Sequence, residues 1–351
     1  MKRNYGIDLL RLVLMYMVCL LHTLGRGGIL AASVVGTVNY AVYWLLETSA
    51  FCAVDGFALV SGYVAQDKPQ KYEKLVNMWF QAFFYSCIVT LVLHICGLKM
   101  NASLPALQEM VFPVSFSAFW YVTAYFVLFL AMPLLNSFLF SLEEPAAKKA
   151  LLVFFVLFSV IGFWQEPFGT DEGYSALWLM ILYCIGVLAK RIHLFEQKKT
   201  WLLFLLWLVC ILLSWIAYVF FGFLRGVRYV TPTILLCAII MVVLFSRLKL
   251  PDKMVRAIKH LSPLAFGIYL FQMNRTLWDK VLLDGFSFVA SMPLIPGVLC
   301  ACGIAVVIFF AGLIVEWCRT KLMNAIGIHR ISEKIVEWID QLLGKLFPIL
   351  N

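Results

Sequence analysis

Apolar runs long enough to cross a bilayer core of about 30 Å recur along the whole chain. They fall at about 5–24, 39–65, 76–98, 118–140, 150–164, 174–189, 201–223, 229–246, 262–283 and 297–318. A backbone surrounded by lipid must satisfy its hydrogen bonds within the segment, so such runs are helices. The chain is 63% hydrophobic and only 13% charged, against about 25% charged for an ordinary soluble domain. A soluble enzyme is excluded, and the sequence predicts an all-α polytopic membrane protein with about ten transmembrane helices.

The cations orient it. With the N-terminus inside, 21 of the 28 Lys and Arg residues lie on the cytoplasmic side and four lie in outer loops. Arg11, Arg275 and Lys280 fall within the spans. This split predicts cytoplasmic N- and C-termini. It also accounts for the net charge of +9 through a bilayer surface or an anionic cytosolic ligand, so no nucleic acid is invoked. All ten Cys lie in or at the ends of apolar runs, without disulfide or zinc spacing, and the five His are scattered, so no metal is expected. After residue 323 the pattern changes. Over 330–347, Ile331, Ile335, Trp338, Ile339, Leu342 and Leu346 share one helical face and Glu333, Glu337, Asp340 and Lys345 the other. Residues 324–351 therefore read as a cytoplasmic amphipathic helix appended to a membrane domain over 1–323, lying on the bilayer surface or, equally on periodicity, packed against cytoplasmic loops.

The first run carries Asp8, Arg11 and His22 on one side. At 100° per residue Arg11 and His22 point within about 20° of each other, some 16 Å apart along the axis. Met15 and Val18 complete the stripe. A charge in the bilayer costs about 2.5–3.5 kcal/mol on insertion scales, so a one-sided polar stripe faces a cavity or path. Glu47 and Asp55 on the second span are placed to support it: Glu47 near the depth of His22, where it could orient the imidazole, and Asp55 nearer Arg11. A structural salt bridge is the plainer reading of either.

These residues resemble a known family. GIDLLRLVLMYMVCLLH at 6–22 is similar to the opening of the acyltransferase-3 family of bacterial integral membrane acyltransferases, whose hallmark is an Arg and a His separated by ten residues, here Arg11 and His22. DGFALVSGYV at 55–64 resembles its Ser-Gly-Tyr segment. FWYVTAYFVLFLAMPLLN at 119–136 resembles its fourth helix, GYSALWLMILYCIGVLAKR at 173–191 its sixth, and FGIYLFQ at 266–272 its late Gly-Ile-Tyr-Leu motif. Two positions depart from the pattern. Gln272 stands where relatives have His, and Lys71 and Lys74 stand where they carry paired Arg. Gln cannot usefully accept a proton, and Lys lacks the fork that grips phosphate.

The resemblance implies an O-acyltransferase, in particular an O-acetyltransferase, in the cell membrane. It would move an acyl group from cytosolic acetyl-CoA or another acyl-CoA to a hydroxyl of an envelope or exported saccharide. His22 and Arg11 would be catalytic, and Lys71 and Lys74 would contact acyl-CoA. Trp120, Tyr121 and Tyr125 open the fourth helix on the outer side, where an interfacial aromatic belt is the plainer reading and stacking the acceptor sugar the alternative; Tyr269 and Gln272 of the late motif are the other candidates to meet the acceptor. Without a fused extracytoplasmic domain, the acceptor is the saccharide itself or a separate acyl-accepting partner. The alternative is a secondary transporter of a small polar solute using the intramembrane charges. Against it, the chain shows no internal repeat and no matched pair of Gly/Pro-broken helices.

Overall fold

The structure, a computed structural model, describes residues 3–346. Met1, Lys2 and 347–351, the last of which close the predicted amphipathic segment, lie outside the described residues. Among the described residues there is no strand. Seven helices of the described residues are long and apolar enough to cross a membrane: α1 (Tyr5–Leu24), α2 (Val38–Tyr63), α3 (Glu73–Ile95), α4 (Trp120–Ser141), α5 (Glu144–Trp164), α7 (Thr200–Val219) and α10 (Leu294–Ile326).

The other three predicted spans are built differently. Helix α6 (Ala176–Arg191) has 16 residues and α8 (Pro232–Ser246) has 15. The ninth run is broken into a 3-10 turn at Ser262–Leu264, helix α9 (Ala265–Gln272), and a second piece that begins at Arg275 and continues as a π-turn over Trp278–Leu282. Asn274 makes the break. Its side-chain oxygen accepts from the backbone N–H of Thr276 (3.1 Å) and Leu277 (3.3 Å) and so starts a new helix. Its amide donates to the Tyr85 carbonyl and to Thr90 Oγ1, each at 2.8 Å. Tyr85 lies in a π-turn of α3, Phe84–Val89.

Helix α1 is central, packed against α2, α8, α9 and α10. Asn4 caps it by accepting from the N–H of Gly6 (2.9 Å) and Ile7 (3.3 Å). Helices α2 and α6 touch backbone to backbone: a Cβ on Gly62 would overlap the Tyr183 carbonyl, and one on Gly186 the Leu59 carbonyl. Small residues at a helix crossing in lipid permit this approach. Helix α9 is held from behind by Glu316 of α10, which is 1% exposed. The Glu316 carboxylate accepts from Arg319 (2.7 and 2.8 Å), Gln81 (3.0 Å) and Tyr85 (2.9 Å) and lies where Gly267 of α9 has no side chain. A buried carboxylate with this many donors is a satisfied structural group.

Gly327, with φ 75°, ends α10 and turns the chain into α11 (Ile328–Leu346). Its first turns pack on α3, where buried Ser332 donates to Asn77 Oδ1 at 2.9 Å. Farther along, Trp338 and Leu346 are 61% and 62% exposed.

Candidate active site

A cavity of about 600 Å³ opens between α1, α2, α4 and α9. Arg11, Met15, Val18 and His22 line it along one face of α1, the same stripe read from the helical period. The cavity therefore follows α1 for about 16 Å. At the Arg11 end it meets Ser61, Met78, Ser262 and Pro263, and at the His22 end Arg26, Glu47, Tyr174, Tyr229 and Trp278.

Arg11 is oriented by Asp8. Asp8 is 3% exposed, does not itself line the cavity, and pairs through Oδ1 with Arg11 Nη1 (2.6 Å) and through Oδ2 with Arg3 Nε (2.5 Å). Ser262 Oγ lies 3.4 Å from Oδ1. His22 is half-buried, its ring edge-on to Trp278 with centroids 4.9 Å apart, and its buried Nδ1 has no hydrogen-bond partner. Trp278 is fixed in turn by Arg26, whose guanidinium lies 5.2 Å from the indole centroid and bonds Asp279 at 2.8 Å.

The aromatic residues expected on the acceptor side gather along the opposite wall. Trp120, Tyr121, Tyr125 and Tyr269 all line the cavity. Tyr269 accepts from the Tyr121 backbone N–H at 3.4 Å, and the Tyr125 hydroxyl lies 3.4 Å from Ser61 Oγ. Gln272 does not line the cavity but packs beside His22 and Cys19. It is buried, its Nε2 is 3.9 Å from Met15 Sδ, and its Oε1 has no partner.

The two acids of α2 separate. Glu47 lines the cavity at the His22 end, 7% exposed, without a bond to His22 and with Oε2 unpartnered. Asp55 does not reach Arg11: it is fully buried behind the wall, accepting from Trp178 Nε1 at 2.9 Å. Lys71 and Lys74 are exposed and outside the cavity.

Three residues that line the cavity each keep a buried polar atom without a partner: His22 Nδ1, Glu47 Oε2 and the Tyr121 hydroxyl. Buried polar groups in folded proteins are almost always hydrogen-bonded, so three such side chains around one cavity mark it as a candidate site for a polar ligand. Among the described residues, no three His, Cys, Asp or Glu come together as a metal-ligand set. Arg26, Trp278, Tyr174 and Tyr229 were not among the candidates read from the sequence. Arg26 offered a signal, lying four residues beyond His22 and so one turn farther on. The two tyrosines sit in connections before α6 and α8 that only the fold brings to the cavity.

A family model described as an acyltransferase domain matches residues 4–314. No curated protein and no solved structure gives a significant match.

Proposed function

This chain belongs to the acyltransferase-3 family, and on that premise we propose that it is an O-acyltransferase using cytosolic acyl-CoA, with acetyl as the group and an envelope or exported saccharide as acceptor. The protein makes ten passages of the cell membrane with both termini cytoplasmic, and α11 lies on the cytoplasmic surface. The observation that carries this reading is the single cavity with Arg11 at one end and an unpartnered His22 Nδ1 at the other. Its volume, about 600 Å³, suits a small-molecule site of about 300–1,000 Å³.

The nucleotide phosphates stay at the basic cytoplasmic mouth, where Lys71 and Lys74 contribute, and the thin acyl-pantetheine arm extends along α1. Arg11 is held by Asp8 through one nitrogen and offers its remaining donors to the arm or the thioester oxygen. At the far end His22 takes the proton from the acceptor hydroxyl as that oxygen attacks the thioester carbonyl. The carbon–sulfur bond breaks, the imidazolium returns the proton to the departing thiolate, and an ester and free CoA result. The aromatic wall of Trp120, Tyr121, Tyr125 and Tyr269 gives the acceptor ring a stacking surface.

Mass analysis of envelope glycans from cells with the gene, without it, and with His22→Ala tests this reading. Loss of the same acyl mass in the last two is expected. An unchanged glycan profile contradicts it.

A further inference from the structure

Glu47 is the buried acid that the reaction above leaves unused. The simplest role for it, orienting the His22 imidazole, does not fit the geometry. The two side chains line the same end of the cavity without a bond between them, and each keeps an atom without a partner. The Glu47 carboxylate lies over Gly25, just past the end of α1, where a Cβ would come within 3.8 Å of Oε1. No Lys or Arg among the described residues forms an ion pair with it. Around it stand Tyr174, Tyr218 and Tyr229. One turn farther along α2, Phe51 stacks on Tyr229 at 4.7 Å, while Tyr174 meets Tyr229 at 5.0 Å and Trp120 at 4.9 Å. The result is a carboxylate set in a ring of aromatic faces, one turn from the reacting histidine.

A desolvated carboxylate with an orphan oxygen is costly unless a ligand donates to it. Aromatic faces beside it favour a ring whose C–H face stacks while its hydroxyls point at the acid. Resting on the acyltransferase reading, we propose that Glu47, with Phe51, Tyr174 and Tyr229, forms the acceptor subsite: the hydroxyl to be acylated meets His22, and a neighbouring hydroxyl of the same ring donates to the Glu47 carboxylate. Glu47 is thereby a specificity residue that holds the acceptor. Water entering the cavity as a substitute nucleophile has no second hydroxyl and gains nothing from it.

The test measures two rates on the purified full-length protein with acetyl-CoA. One is thioester hydrolysis by water. The other is acetyl transfer to de-O-acetylated envelope glycan from cells lacking the gene. Glu47→Ala should lower the ratio of transfer to hydrolysis about 10- to 100-fold, the range of one hydrogen bond to a charged group, and should do so through the KM for glycan. Glu47→Gln keeps an acceptor oxygen and should recover part of that loss. Gly25→Leu, which leaves the acid intact and fills the space before it, should lower the same ratio should either Glu47 variant fail to fold. A ratio that stays constant while both rates fall together would overturn the proposal and make Glu47 a positioning residue for His22. A constant ratio with unchanged rates would overturn it as well. If the unmodified protein hydrolyses acetyl-CoA but transfers nothing to the glycan, the saccharide subsite falls while the thioester chemistry stands. If it does neither, the acyltransferase reading falls first and takes the subsite with it.

Discussion

Arg11→Lys separates the charge of Arg11 from its shape. Asp8 engages Nη1 at 2.6 Å, and among the described residues no protein acceptor takes Nε or Nη2, although the side chain lines the cavity. A lysine ammonium in that place can hold Asp8 or reach into the cavity, but it lacks the planar fork that does both. The loss is then one hydrogen bond to a charged group, about 1.5–3 kcal/mol. Because the Arg11 side chain is 30% exposed, solvent screening favours the lower part of that range, a decrease of about 10- to 30-fold in kcat/KM for acetyl-CoA. Arg11→Ala removes both contacts and leaves Asp8 to Arg3 and the Ser262 hydroxyl. Activity should therefore fall further than in Arg11→Lys, and loss of the partly buried pair should lower the melting temperature. Release of free thiol from acetyl-CoA by protein in detergent, together with a melting curve, reads both effects. Equal losses in the Lys and Ala variants would refute the fork argument. Wild-type rates in Arg11→Ala would remove Arg11 from the site.

Three further outcomes follow from the packing and the charge distribution. Gly62→Ala places a Cβ on the Tyr183 carbonyl and should destabilise the α2–α6 contact by about 1–3 kcal/mol, seen as a lower melting temperature. Gly267→Ala should push the Glu316 carboxylate from Tyr85 and Gln81 and lower the melting temperature, whereas Gly303→Ala, which meets nothing within 4 Å, serves as the control. Replacing Lys71 and Lys74 together by Gln should raise the apparent Kd for acyl-CoA by up to about tenfold; an unchanged Kd excludes both from phosphate contact.

Much of this site can be read from one helix. A 3.6-residue period is enough to place Arg11, Met15, Val18 and His22 on one face, and the cavity follows that face. The wall opposite is legible only as aromatic residues at the start of α4, where an interfacial belt gives the same pattern. Three features escape the sequence for definite reasons. Hydropathy averages over the ninth run and passes across Asn274, whose amide is anchored by the Tyr85 carbonyl of α3, far away in the sequence. Asp55 and Glu47 are equally acidic and only eight residues apart, and what separates them is Trp178, which reaches Asp55 from α6. Tyr174 and Tyr229 lie in connections far apart in the chain, and they become site residues only because α6 and α8 begin beside α2.

The central claim is that His22 performs the chemistry at the far end of an Arg11-to-His22 cavity. The most direct measurement is acetyl transfer from acetyl-CoA to de-O-acetylated envelope glycan by purified His22→Ala, beside its melting curve and its acetyl-CoA affinity. A general base contributes about 10²- to 10⁴-fold, so transfer should fall by at least a hundredfold while the melting temperature and the affinity stay close to those of the unmodified protein. Transfer within a few-fold of the unmodified rate would contradict the account and move the acid–base role to another residue of the cavity.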